Sequence, residues 1–240
     1  MIGIKICGIT NLDDAIAVAG SGANALGFIF YPRSPRYISP EKAKEIIENI
    51  PRKITRVGVF VNHRADEIKE IVDFCGLNLV QLHGNESPEF CRQFPASTLV
   101  KAFSPRTEND LQELKDYPVK AILVDTHDPK LYGGTGKTSN WKLASKIKKS
   151  HPLILSGGLN IDNIIEAIET AHPDAVDINS GVEVSPGKKD HSKVREIVKI
   201  VRKNDRHIDR EKVVIFNGHN KLDGLAKSRH SGENRSPEPS

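Results

Sequence analysis

Apolar runs of strand length recur along this chain at steady intervals, over residues 2–7, 25–31, 54–61, 79–82, 98–103, 121–125, 153–156 and 175–179. Helical patterns fill the gaps. Asn11 is placed to cap a helix beginning at Leu12, and Ser39-Pro40-Glu41 opens the next with proline at the first helical position. Over residues 65–74, Ile68, Ile71 and Val72 fall on one helical face. Further helices are predicted from Ser87-Pro88-Glu89 and over 109–117, 140–149, 162–171 and 190–202. Eight strands alternating with eight helices require parallel pairing through right-handed crossovers. The expected architecture is a closed (β/α)₈ barrel over residues 1–204. An open doubly wound sheet is the competing arrangement, but Gly8 after the first strand has no second or third glycine in register.

The pattern stops near residue 205. From there one short apolar run, 213–216, gives way to Gly-, Asn-, Lys- and Ser-rich sequence. Residues 205–240 are therefore expected to be a polar, disordered tail outside the core, because such a composition buries too little surface to offset its ordering entropy.

The balance of 35 basic and 31 acidic residues, a net charge of +4, calls for neither a nucleic acid nor a membrane partner. The N-terminus lacks the pattern of a signal peptide, and the apolar runs are strand-sized, so a cytoplasmic location is expected. Cys7, Cys75 and Cys91 lack metal-ligand spacing and leave an odd thiol, which fits a reducing compartment and no metal site.

Barrel chemistry sits in the loops after the strands. Cys7 ends the first strand at that mouth. It is either a small buried hydrophobe or a reactive thiol, and as a thiol it needs help to ionise. Asp125 ends the sixth strand and shares a face with Leu123. It is either a partner for a buried turn or an acid aimed at the mouth. Ser156-Gly157-Gly158 and Asn179-Ser180-Gly181 follow the seventh and eighth strands, where barrels often hold phosphate, and Gly133-Gly134-Thr135-Gly136 follows the sixth. Arg33 and Arg36 lie in a proline-stiffened loop after the second strand. A guanidinium there suits a carboxylate or phosphate, although for Arg33 a solvated surface position is expected. His83 ends the fourth strand and is either a hydrogen-bonded structural group or a member of the site. Lys5 and Asp177 should both point into the barrel, and a buried ion pair between them is expected, since either charge alone would be costly.

The motifs KICGIT, GFIFYPRSPRYI, RVGVFVN, VQLHGNE, LVDT with GGTGKT, LSGGL and NSGVEVSPGKKDH, in this order over residues 1–204, resemble those of the phosphoribosylanthranilate isomerases. The resemblance implies a cofactor-free barrel of tryptophan biosynthesis that rearranges N-(5-phosphoribosyl)anthranilate to 1-(2-carboxyphenylamino)-1-deoxyribulose 5-phosphate. On the matching positions it makes Cys7 the general base, Asp125 the general acid and Arg36 the holder of the anthranilate carboxylate. Gly158 and the Ser180-Gly181 pair match positions near the phosphate; Gly157 and His83 join the substrate-binding set by their places at the strand ends, not by the resemblance. Asn179 stands where the family more usually has serine. The expected partner is a small phosphosugar, bound by a monomer or homodimer. A related phosphosugar barrel of tryptophan or histidine biosynthesis, or a non-catalytic phosphosugar-binding barrel, is the alternative.

Overall fold

Each apolar run becomes a strand paired in parallel with the next one in the chain. The computed structural model describes residues 1–125, 140–205 and 214–216. Strands β1 (Gly3–Ile6), β2 (Ala25–Ile29), β3 (Thr55–Phe60), β4 (Leu79–Leu82), β5 (Leu99–Phe103), β6 (Ala121–Val124), β7 (Leu153–Leu155) and β8 (Ala175–Ile178) close into a barrel in chain order. β8 returns to β1 with Lys5 opposite Asp177 and Ile6 opposite Ile178. That closure excludes the open doubly wound sheet, which would leave two edges.

Helices α1 (Leu12–Ser21), α2 (Pro40–Glu48), α3 (Ala65–Cys75), α4 (Pro88–Cys91), α5 (Trp141–Ser145), α6 (Ile164–Ala171) and α7 (His191–Asp205) surround the barrel. Local chemistry sets their starts. Asn11 Oδ1 accepts the Asp14 N–H at 2.9 Å, and Ser39 caps α2 with Pro40 at the first position. Three predicted helices are shorter or tighter than their sequence pattern suggests. The one from Ser87 is a single turn, ended before Pro95, which lacks an N–H to continue it. Residues Asn109–Asp116 form a 3₁₀ segment, and the helix over 140–149 tightens to 3₁₀ at Lys146–Lys149. α7 closes the ring of helices onto the first strand, where Asp205 Oδ2 accepts the Ile2 N–H at 2.9 Å.

Two cores result. The larger lies between barrel and helices. The smaller fills the barrel with Ala25, Val57, Leu79, Val100, Leu123 and Ile154 among others. Apart from Asp205 and residues 214–216, the expected tail of 205–240 lies outside the described residues. Asp205 ends α7, and Ile215, 3% exposed, joins the inner cluster with Phe216 packed beside it. A Cβ built on Gly3, at the start of β1, would come within 2.9 Å of the Phe216 ring, which places Phe216 at the barrel floor, opposite the loops that follow the strands. Among the described residues no helix is long and apolar enough to cross a membrane.

Candidate active site

The strand ends converge on one solvent-open cavity. Its wall includes Cys7, Arg36, His83 and Asp125 on one part and Gly157, Gly158 and Ser180 on another. Seven of the eight residues singled out in the sequence thus share one space. Gly181 stands behind it. A Cβ there would lie 2.0 Å from the Leu159 carbonyl, so the missing side chain lets the loop after β8 pack on the loop after β7. Gly157 and Gly158 have φ of 87° and 65°, a backbone turn that side chains disfavour. Arg33 is exposed at the rim, as expected, yet it also borders the cavity. The glycine loop 133–136 lies outside the described residues.

Cys7 follows β1 with its N–H donated to the Ile178 carbonyl at 2.9 Å, and it is 4% exposed. Burial pushes its thiol up from the ordinary value. Lys5 opposes that push, Asp177 adds to it, and Lys189 opposes it. The predicted ion pair below the thiol is present: Lys5 Nζ donates to Asp177 Oδ2 at 2.8 Å. Burial pulls the Lys5 ammonium down, but Asp177 and Cys7 outweigh it and hold the group above its ordinary value. Cys75 and Cys91 are buried at the helices, and desolvation pushes both thiols up to about 11, as suits packing residues.

Asp125, 6% exposed, receives support from the end of β4, two strands away in the barrel. His83 Nε2 lies 3.2 Å from Asp125 Oδ2, and the other ring nitrogen of His83 lies 2.8 Å from Gln81 Nε2. The ring is thereby fixed between an amide and a carboxyl. Gln81 was not foreseen. Its signal was a polar side chain at an inward position of the otherwise apolar strand Leu79-Val80-Gln81-Leu82.

Arg36 also has an unforeseen partner. After β8, strands β9 (Glu183–Ser185) and β10 (Lys188–Lys189) form a hairpin around Pro186-Gly187, with Lys189 opposite Glu183. Arg36 Nε donates to the two Glu183 oxygens at 3.0 and 3.1 Å, and Nη2 reaches one of them at 2.7 Å. Lys189 Nζ donates to Glu183 Oε1 at 2.8 Å and to Asn179 Oδ1 at 3.0 Å. Burial opposes ionisation of Glu183, yet Arg36 and Lys189 together hold its carboxyl below the ordinary value. Only the Pro-Gly pair hinted at this hairpin. Among the described residues no cluster of His, Cys, Asp and Glu could hold a metal ion.

Comparison with known proteins agrees with this geometry. The family model described as N-(5'phosphoribosyl)anthranilate (PRA) isomerase matches residues 4–200. The N-(5'-phosphoribosyl)anthranilate isomerase of Syntrophus aciditrophicus is 55% identical over 203 residues, covering 85% of this chain and 88% of that protein. The crystal structure of phosphoribosyl anthranilate isomerase from Thermotoga maritima superposes with a TM-score of 0.77 at 43% identity, over 85% of this chain and all of that one. A phosphoribosyl anthranilate isomerase solved in complex with reduced 1-(o-carboxyphenylamino)-1-deoxyribulose 5-phosphate gives a TM-score of 0.75 at 40% identity, with 85% and 100% coverage. A matching family model over most of the chain, joined to a barrel whose mouth gathers the expected side chains, leads to one assignment: the chain belongs to the N-(5'-phosphoribosyl)anthranilate isomerase family.

Proposed function

We propose that this chain carries out the rearrangement of N-(5-phosphoribosyl)anthranilate to 1-(2-carboxyphenylamino)-1-deoxyribulose 5-phosphate, with Asp125 as general acid and Cys7 as general base. The observation that carries the reading is that both side chains, just past the ends of β1 and β6, border one cavity together with Arg36 and two glycine-bearing loops. The substrate has three handles, and the wall offers chemistry for each. Arg36, aimed by Glu183, receives the anthranilate carboxylate, since a guanidinium fork suits that planar anion. Gly157, Gly158 and Ser180 receive the phosphate, where bare backbone N–H groups approach closely. The sugar then lies between Cys7 and Asp125.

Asp125 gives its proton to the ribose ring oxygen, the C1–O bond breaks, and the nitrogen lone pair forms an iminium at C1. Cys7 removes the proton from C2, and the electron pair moves toward the iminium to give an enolamine. Tautomerisation yields the ketone at C2. C2 is oxidised as C1 is reduced, so no external oxidant or reductant enters. Positioned acids and bases of this kind contribute about 10² to 10⁴ in rate each. His83 fixes the Asp125 carboxyl and is placed to exchange a proton with it between turnovers.

The test is turnover by the full-length chain, followed as loss of phosphoribosylanthranilate fluorescence. Conversion to the ketone product is expected. A folded protein that binds the substrate without converting it would turn the reading into a phosphosugar-binding barrel.

A further inference from the structure

Three largely buried cations and two largely buried carboxylates gather near Cys7, and Arg36 and Asp177 border the same solvent-open cavity as the thiol. The side chains of Lys5, Arg36 and Lys189 are 1%, 9% and 0% exposed, and those of Asp177 and Glu183 are 5% exposed. They flank the thiol from two sides. On the strand side, Lys5 sits on Asp177, whose Oδ1 is buried with no hydrogen-bond partner among the described residues. On the hairpin side, Lys189 Nζ meets Glu183 Oε1, Asn179 Oδ1 and the Asn179 carbonyl at 2.8, 3.0 and 3.4 Å. Three acceptors match the three N–H donors of an ammonium.

Gly27, on β2, lets Lys5 and the thiol meet. A Cβ at Gly27 would lie 2.7 Å from Cys7 Sγ and 3.0 Å from Lys5 Cε, so both side chains occupy the space over one bare Cα. Two further carboxylates nearby are hydrogen-bonded to histidines. Asp14 of α1 lies 2.7 Å from Nε2 of His191 on α7, and Asp125 pairs with His83 across the mouth. The cluster is left with one more positive than negative side chain, and an excess of charge is costly in so buried a setting even though Arg36 borders the solvent-open cavity. Cys7 is the ionisable group touching Lys5 that can restore the balance.

We propose that Lys5, seated on Asp177, is a positioning residue that makes the thiolate of Cys7 attainable, with Lys189 acting in the same sense from the hairpin. The proposal deepens the assignment of Cys7 as general base and rests on it. Burial is the largest influence on the thiol and opposes ionisation; Lys5 is the largest influence on the other side, Asp177 works against Lys5, and Lys189 works with it.

Those opposed signs give the test. The rate of Cys7 alkylation by iodoacetamide is measured against pH in the full-length chain, with the modified peptide identified by mass. Cys75 and Cys91, with thiols near 11, stay unreactive in the neutral range. Lys5→Met should move the midpoint up by about one pH unit, as should Lys189→Met to a smaller extent, whereas Asp177→Asn should move it down. The acidic limb of kcat should move with it while KM changes little. Damage to packing would not produce shifts of opposite sign. Midpoints that stay put, or that all move one way, would overturn the proposal. If Lys5→Met fails to fold, the near-isosteric Asp177→Asn decides alone, and an unchanged or raised midpoint defeats it. A failure of the base assignment looks different, because Cys7→Ala would then keep its turnover while the alkylation midpoints still moved.

Discussion

Arg36 and Glu183 meet as a fork on a carboxylate, with Nη2 2.7 Å from Oε2 and Nε shared between both oxygens, although 147 residues separate them in the chain. The pair joins the loop after β2 to the hairpin after β8 and aims one guanidinium into the cavity. Replacing one partner of a buried pair leaves the other charge unanswered. Glu183→Gln should therefore raise KM about ten-fold with a smaller effect on kcat, because Arg36 loses its aim and not its charge. A variant with unchanged KM would remove Glu183 from substrate recognition.

The same carboxylate predicts an acid limit to stability. Its folded-state pKa lies below the ordinary 4.5, so its contribution is present above that value and is lost as pH falls through the folded value. In denaturant titrations at stepped pH, the wild type should lose stability below about pH 4.5, and Glu183→Gln should lose less over the same interval while starting about 3 kcal/mol lower. Parallel curves would show that Glu183 titrates alike in both states.

His83, at the end of β4, holds Asp125 through Nε2 at 3.2 Å. Removing the imidazole in His83→Ala should lower kcat by about ten-fold or more and leave KM close to wild type, since the carboxyl loses the group that orients it. Stopped-flow turnover separates the two constants. A rise in KM alone would make His83 a substrate contact.

Gly181 allows two phosphate-type loops to touch. A methyl group at that position would sit 2.0 Å from a backbone carbonyl, which cannot swing aside as a side chain can. Gly181→Ala should cost about 1 to 3 kcal/mol of stability by overpacking and weaken substrate binding through the displaced Ser180 loop. Thermal denaturation with and without inorganic phosphate reads both effects. A stable variant with wild-type KM would contradict this packing.

Ile215 enters the barrel floor, remote from the mouth. Ile215→Ala should lower stability by about 2 kcal/mol and leave kcat and KM unchanged. A chain ending at Asp205 should show the same separation. Equal thermal stability with and without the segment would mean that the contact adds nothing.

Much of this architecture is local in origin and so could be read from residues alone. Period-two and period-3.6 patterns, Asn11 and Ser39 as caps and Pro40 at a helix start set the strands and helices, and alternation along β1 and β8 put Lys5 beside Asp177. What stayed hidden depends on contacts between distant segments. Nothing around Arg36 points to Glu183, because the partner arrives on a hairpin whose only sign is Pro186-Gly187. The tightening over Asn109–Asp116 and Lys146–Lys149 reflects packing against the barrel, which overrides weak helical preferences. Residues 213–216 read as an isolated apolar run because the floor that Ile215 fills exists only once eight strands have closed.

The division of labour between Cys7 and Asp125 is tested most directly by single-turnover kinetics on Cys7→Ala and Asp125→Asn, with product binding measured in parallel by fluorescence titration. Each variant should lose at least about 10² in the rate of conversion while binding the product within a few-fold of wild type. Near-normal conversion by either variant would contradict its assignment.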